Sequence, residues 1–273
     1  MTRDIGADFR ALHVKGDPFI LANAWDIGSA KLLAGLGAQA IATSSGAHAF
    51  TLGRPDMGTI SRDEALSHAQ DLVAAVNLPV SGDFENGFGD SPEACAETVR
   101  LAAEVGLAGI SIEDTALPGT TVYPRDLAIE RIRAAAAAAR ALPRDFVLVA
   151  RADGIMNGQH GLDEALARVQ GFEGAGADCL YVPMPGGMGA QAQICAATTL
   201  PVNALAAGPF AEVSRSAFAT AGVARISLGS ALARATHRLI QDLGHAMFDR
   251  GDFSALSHTI SGGEVADLMA KAR

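Results

Sequence analysis

Short apolar runs recur along the chain, and most give way to a longer stretch in which apolar positions return every three or four residues. The runs are PFILANA (18–24), QAIATSS (39–45), LPVSGDF (78–84), AGISIED (108–114), DFVLVARAD (145–153), DCLYVP (178–183), LPVNAL (200–205) and ARISLG (224–229). They are nearly continuous rather than alternating, as strands are when both faces of a sheet are covered. SRDEALSHAQDLVAAV (61–76), SPEACAETVRLAAEVG (91–106) and RDLAIERIRAAAAAARAL (125–142) read as amphipathic helices between them. Several strands share one entry signal, a helix running out through a small-residue pair: GLGAQAIA, EVGLAGISI, GAGADCLYV and TAGVARISL.

Eight such strands with intervening helices predict an α/β fold closed as a (β/α)8 TIM barrel. An open doubly wound sheet is the alternative, but no run is followed by the glycine fingerprint of a dinucleotide site. Beyond the eighth strand, SALARATHRLIQDLGHAMFDRG (230–251) reads as a helix, and a further segment, 254–273, follows the break at Gly251–Asp252. The barrel domain is therefore expected over 1–251 and a C-terminal helical tail over 252–273. A barrel needs one closing helix, so the tail's Phe253, Leu256, Ile260, Val265 and Leu268 are expected to pack on a neighbouring subunit.

At 273 residues and 49% hydrophobic content the chain can bury a sizeable core. No apolar stretch reaches the roughly 18 residues of a membrane span, and MTRDIGADFR lacks a signal peptide's apolar centre. A soluble, cytoplasmic protein with no membrane partner is expected. A net charge of −9 without a basic cluster argues against nucleic acid. Cys95, Cys179 and Cys195 have no metal-site spacing and fit a reducing compartment.

Barrel active sites lie at the C-terminal ends of the strands. There the chain places Asn23 and Asp26, Thr43-Ser44-Ser45-Gly46, Asp83 and Glu85, Glu113-Asp114, Arg151 and Asp153, and Asn203. One acid at a strand end is commonly a helix cap. Acids and an arginine at the ends of three successive strands are harder to read as independent caps. Within SGDFENGFGD, extended backbone would turn Asp83 and Glu85 to the same face. Carboxylates crowded at one point repel unless a cation sits among them, which predicts a hard divalent ion, Mg²⁺ or Mn²⁺. Arg151 would then clamp an anionic substrate, and the Ser45 and Gly46 N–H groups would form an oxyanion-type site.

Elimination narrows the chemistry. The only lysines, Lys15, Lys31 and Lys271, are not at strand ends, which excludes a Schiff-base aldolase. His48 reads as alone in its loop and His160 as following a Gly-rich turn; His13, His68, His237, His245 and His258 fall on helices or the tail, so no zinc site is expected. Gly53 and Gly58 flank Arg54, Pro55 and Asp56, so the loop over 53–59 reads as a lid.

In order along the chain, NAWDIGSA, TSSG, GRPDMGTISRDE, GDFENGFGD, SIEDT and VARADG resemble the isocitrate lyase/phosphoenolpyruvate mutase superfamily, in particular its carboxyphosphonoenolpyruvate phosphonomutase-like branch. The most specific element is the pattern D-x-[DE]-x-G-[FY]-G, met at Asp83–Gly89. The resemblance implies Mg²⁺ positioned by Asp83, Glu85 and Glu113, mostly through water. It also implies an oxyacid carboxylate held by Ser45 and Gly46, with Arg151 pairing with it; Thr43 and Asn203, from their strand-end positions, are expected in the same binding site. Asp56 then belongs to the covering loop, and an exchanged C-terminal helix would build dimers that pair into tetramers.

Two departures refine this. Glu85 stands where many members have Asp. The segment TALPGTTVYPRD contains no Cys, His or Lys, whereas isocitrate and methylisocitrate lyases carry a lysine-rich loop with a Cys-Gly-His there. Among its hydroxyls, Tyr123 is the remaining candidate proton donor. Ser45, Asp56, Tyr123 and Arg151 are thus the expected catalytic residues. The expected activity is C–C cleavage of an oxaloacetate-like 2-oxo or 2-hydroxy di-acid through an enolate. The alternatives are P–C chemistry, as in phosphonomutases and phosphonopyruvate hydrolases, and a non-catalytic barrel that binds metal and carboxylate.

Overall fold

In the computed structural model, which describes residues 4–272, eight parallel strands pair in sequence order and close on themselves. They are β1 (Phe19–Asn23), β2 (Ala40–Ala42), β3 (Val80–Asp83), β4 (Gly109–Glu113), β5 (Val147–Arg151), β6 (Cys179–Tyr181), β7 (Val202–Leu205) and β8 (Arg225–Ser227). Closure is made by β8 on β1, with Arg225 opposite Phe19. The predicted (β/α)8 barrel is present, each strand lying inside its expected run.

The helices are α1 (Ile5–Ala11), α2 (Ile27–Gly35), α3 (Ser45–Thr51), α4 (Arg62–Ala75), α5 (Pro92–Glu104), α6 (Arg125–Arg140), α7 (Leu162–Gly174), α8 (Met188–Ala196), α9 (Arg215–Thr220), α10 (Ala231–Arg250) and α11 (Gly262–Ala270). Local chemistry sets several of their starts. Ser61 and Glu64 form a reciprocal capping box at α4, and Ser91 caps α5 ahead of Pro92. At β2 the same chemistry shortens the strand. Ser44 Oγ accepts from Ala47 N, so α3 begins at Ser45, where the apolar run had suggested a strand. His48 consequently lies in α3, not in a loop, and it stacks on His68 of α4 with ring centroids 3.9 Å apart.

Strand alternation sorts the buried residues into two cores. Ile41, Val80, Ile110, Leu148, Leu180 and Val202 face the helices. Phe19, Leu21, Ala42, Val149, Cys179 and Tyr181 belong to the inner cluster, which also contains Phe9 of α1. Arg10 of α1 pairs with Asp145 at 2.6 Å and Asp178 at 2.7 Å, tying this helix to the entries of β5 and β6.

Part of the tail packs within the single chain. α11 packs on α2 of its own chain, where a Cβ on Gly35 would lie 2.0 Å from the Leu268 carbonyl oxygen. Only glycine permits that approach, and Val265 and Leu268 are half-buried in the single chain. Phe253, Leu256 and Ile260 remain exposed, as do Leu239, Ile240 and Phe248 on α10. Among the described residues no helix is long and apolar enough to cross a membrane.

Candidate active site

The acidic turn after β3 is shaped by backbone conformation that the strand pattern does not anticipate. The strand ends at Asp83, and Glu85 has φ +46°, in the left-handed region. Its carboxylate is therefore aimed by a turn and not by strand alternation. Phe88 (φ +57°) and Gly87 (φ +80°) share that region, and non-glycine residues there are held by their surroundings. Arg131 of α6 supplies the hold. Buried at 1% exposure, it donates to the carbonyls of Asn86, of Gly89 at 2.9 Å and of Glu113 at 3.3 Å.

Above that turn the polar side chains gather on Arg151. Its Nη1 donates to Asp83 Oδ1 at 2.8 Å, while Nη2 lies 3.0 Å from Glu113 Oε2 and 2.6 Å from Asp153 Oδ2. Asp83 Oδ2 accepts from both Ser45 N and Ser45 Oγ at 3.0 Å. Asp83 N donates to Thr43 Oγ1 at 2.7 Å, which fixes the end of β3 against the end of β2. The mouth holds a cavity of roughly 170 Å³, space for a few waters or one small acid.

Acids outnumber cations here, and their protonation reflects it. Burial pushes Glu85 up to about 7, with Asp83 and Asp56 adding repulsion. Burial likewise raises Glu113 well above the usual carboxylate range, against the pull of Arg151. Asp56 is raised too, chiefly by desolvation. Its carboxylate lies directly over Gly46, where a Cβ would come within 2.4 Å of Asp56 Oδ2. The 53–59 loop is therefore folded across the mouth. Gly58 N donates to Glu85 Oε1 at 3.1 Å, and a Cβ on Gly58 would touch Leu117 at 3.1 Å.

Thr43, Ser45, Gly46, Asp56, Asp83, Glu85, Glu113 and Arg151 all line this one mouth. Two expected residues do not. Tyr123 donates to Asp90 Oδ1 at 2.6 Å, accepts from Asn86 Nδ2 at 2.9 Å and lies under the Arg131 guanidinium, 4.0 Å from its ring centroid. Burial raises its hydroxyl to about 12, with the bond to Asp90 acting in the same direction. This placement puts the hydroxyl on the acidic turn and not among the groups that line the mouth, which argues against the expected role as proton donor. Asn203 is fully buried beneath the mouth, accepting from Arg225 Nε and donating to Ser227 Oγ, both at 2.9 Å. These bonds tie it to the floor residues Arg225 and Ser227.

Sequence reasoning missed Ser111, Ser227 and Arg225, which also line the cavity. A signal existed for the last, since Arg225 is the one charged residue inside the apolar run ARISLG. Asp114 lies behind the mouth, accepting from Arg168 Nη1 at 2.9 Å and Asp153 N at 2.8 Å.

Among the described residues no three acid, histidine or cysteine side chains converge closely enough to ligate an ion directly. The expected trio is split by Arg151, which stands between Asp83 and Glu113. The donors are nonetheless all carboxylate and hydroxyl oxygens around an excess of buried acid. That set suits a hydrated hard cation held through water by Asp83, Glu85 and Glu113.

An acid-lined mouth at the strand ends of a closed parallel barrel is the arrangement on which barrel enzymes build their sites. The chain belongs to the phosphoenolpyruvate phosphomutase family, which matches residues 9–248, within the isocitrate lyase/phosphoenolpyruvate mutase superfamily. It is 33% identical to the 2-methylisocitrate lyase of Escherichia coli K12 over 184 residues, 64% of this chain and 61% of that protein. It is 30% identical to the oxaloacetate decarboxylase of Marinomonas sp. MWYL1 over 189 residues, 64% of this chain and 61% of the relative. The match thus spans about three fifths of each relative's length. A crystal structure of a provisional lyase/mutase from Burkholderia cenocepacia J2315 superposes with a TM-score of 0.93 at 42% identity, covering 97% of this chain and 95% of that one. The family's relatives are enzymes, lyases and mutases among them.

Proposed function

We propose that the mouth binds a small 2-oxo or 2-hydroxy di-acid together with Mg²⁺ or Mn²⁺ and breaks a C–C bond in it, an oxaloacetate-like acid being cleaved or decarboxylated through an enolate. The observation that carries this reading is the half-buried Arg151 shared by Asp83, Glu113 and Asp153 at the mouth. When bound, the divalent ion would supply charge that favours the enolate form of the substrate.

The chain's own groups account for the rest. Arg151 is a planar, permanently charged donor suited to a substrate carboxylate. Ser45 N–H and Oγ–H, now given to Asp83 Oδ2, are donors that a substrate oxyanion can take over. Binding would thus exchange one carboxylate for another at the start of α3. Asp56, lying over Gly46, excludes water from that point and is a candidate to move a proton there.

The substrate preference rests on the segment from Thr115 to Asp126. Retro-aldol cleavage of isocitrate or 2-methylisocitrate leaves a carbanionic product that needs an acid on the covering loop. This segment has no Cys, His or Lys, and its tyrosine is held by Asp90. Decarboxylation or hydrolysis of an oxaloacetate-type acid can be completed by water. The name of the Marinomonas relative supports the same direction. A second reading, P–C bond chemistry, is favoured by the family match itself. Against it, the segment's only cation, Arg125, leans 3.6 Å from Glu164 and away from the mouth's lining.

The test is turnover of oxaloacetate, isocitrate, 2-methylisocitrate and phosphonopyruvate with Mg²⁺, with products identified by NMR. Turnover of oxaloacetate in the range of roughly 1–10³ s⁻¹ supports the reading. Comparable turnover of isocitrate or methylisocitrate instead would show that the absent Cys-Gly-His is dispensable. A non-catalytic barrel would bind ion and acid and convert none. The three buried free cysteines support a cytoplasmic location.

A further inference from the structure

Two arginines line the mouth in opposite circumstances. Arg151 is claimed by three carboxylates. Arg225 is 3% exposed and, among the described residues, has no ion pair; its one hydrogen bond runs from Nε to Asn203 Oδ1, and its Nη1 is buried without a partner. Other buried arginines have more partners: Arg131 gives both terminal nitrogens to three carbonyls and leaves only Nε unpartnered, and Arg168 is paired with Asp114 and Glu164. A guanidinium taken out of water with nothing to balance it is costly.

The surroundings orient this charge without neutralising it. Asn203 gives its amide hydrogen to Ser227 Oγ at 2.9 Å, which turns Oδ1 toward Arg225. His13, edge-on against Phe19, which pairs with Arg225, also has an unpartnered buried atom, Nε2. Its Nδ1 meets the Phe9 carbonyl at 2.9 Å and must donate, so Nε2 is an acceptor. Burial holds the ring's pKa down to about 3, so it brings no negative charge. Burial also loosens the proton on Arg225 itself, and Arg151 adds repulsion.

Register fixes the depth. Glu113 pairs with Arg151, Arg151 with Tyr181, Tyr181 with Asn203, and Asn203 with Arg225. In a closed, tilted barrel such a row spirals along the axis, here from the rim toward the floor. The mouth therefore has a cation near its rim, already occupied, and a second one deeper, paired with no acid among the described residues.

We infer that Arg225 is a specificity residue that receives the second, distal carboxylate of the substrate at the floor of the mouth, so that the site selects di-acids over mono-acids. This rests on the reading proposed above, in which the other end of the substrate lies at Ser45 and Arg151. The probes are oxalate, malate and 2-hydroxybutyrate, titrated calorimetrically with Mg²⁺ present. Oxalate reports on the rim alone, and 2-hydroxybutyrate replaces malate's distal carboxylate by a methyl group. The unaltered protein should bind malate about ten- to a hundredfold more tightly than 2-hydroxybutyrate, the range of a charged hydrogen bond. Arg225→Met should abolish that preference while leaving oxalate affinity unchanged, and Arg225→Lys should keep part of it.

Retention of the preference in Arg225→Met, or its absence in the unaltered protein when oxalate binds, overturns the inference. Failure of oxalate to bind the unaltered protein overturns the underlying reading, and this one with it. Should Arg225→Met not fold, a malate-soaked crystal of the unaltered protein decides: the distal carboxylate lies within hydrogen-bond reach of the Arg225 guanidinium, or the inference is wrong.

Discussion

Arg151 Nη1 donates to Asp83 Oδ1 at 2.8 Å, joining two residues 68 apart in the chain across the end of β4. Asp83 also anchors both donors of Ser45. Asp83→Ala should therefore weaken Mg²⁺ binding and lower turnover by roughly 10²–10³-fold or more, the scale of losing an electrostatic element of a site. Asp114→Ala should act on stability instead, by about 3 kcal/mol, because it removes the fully buried one of the two acids that pair with the Arg168 guanidinium and leaves only the more exposed Glu164. Calorimetric ion titration and urea denaturation of both variants separate the two roles; weaker ion binding in the Asp114 variant than in the Asp83 variant would reverse the assignment.

The 53–59 loop lies over Gly46, with Asp56 at its centre. Asp56→Ala should reduce kcat by roughly 10²–10⁴-fold, the range of a lost general acid or base, with an unchanged circular dichroism spectrum. Gly46→Ala should do comparable damage by another route, since its new methyl would occupy the place of Asp56 Oδ2 and hold the loop off. Normal kcat in both variants would make the loop a mere connector.

Tyr123 gives a contrasting expectation. Its hydroxyl donates to Asp90 and accepts from Asn86, away from the cavity. Tyr123→Phe should leave kcat within about threefold of the parent and cost on the order of 1–3 kcal/mol of stability, from the lost bond to a charged acceptor and the bond from Asn86 lost with it. A collapse of kcat with unchanged stability would restore Tyr123 as the proton donor.

Why the barrel was legible and parts of its mouth were not follows from what each depends on. Strands such as 147–151 are continuous apolar runs because two covered faces demand it, and that demand is written residue by residue. Asp83 and Arg151 were found because they end such runs. Glu85 was found for an incomplete reason: its aim comes from a left-handed turn held by Arg131, 46 residues further along, a dependence no local pattern carries. Tyr123 was misplaced because the partner that claims it, Asp90, belongs to a different loop. Arg225 is not legible as a site residue because it opens its strand, whereas barrel sites are read from the ends of strands. The short helix α1 is only seven residues long, too little for a periodic signal.

Glu85 supplies a pH dependence. Its folded pKa, about 7, lies above the unfolded value, so between roughly pH 4.5 and 7 the folded state binds more protons than the unfolded one. Stability without a divalent ion is therefore fully retained below that window and falls as pH rises through it. Asp114, raised to about 6 by burial, contributes in the same direction. Thermal unfolding between pH 4 and 8 should show the decline, and Glu85→Gln should shrink it. Identical slopes for parent and variant would mean that Glu85 is ionised throughout.

The exposed Leu239, Ile240 and Phe248 of α10, with Phe253, Leu256 and Ile260 beyond it, are expected to be covered in a homo-oligomer, dimer or tetramer. Light scattering should give a multiple of the chain mass of 27.9 kDa, and Phe248→Ser combined with Ile240→Ser should shift the distribution toward monomer. A monomeric parent protein at micromolar concentration would end this proposal.

Closure of β8 on β1 also has a meaning in time. Asn23 Oδ1, at the end of the first strand, accepts from Leu228 N at 2.8 Å and Gly229 N at 3.0 Å, just beyond the last. Arg225 reaches the floor only through the same closing pair. A nascent chain that has not yet released residue 229 from the ribosome has most of its acids and none of its finished cavity. Substrate can then select only the completed ring, so ligand present during synthesis would act on the final docking step and leave earlier intermediates untouched.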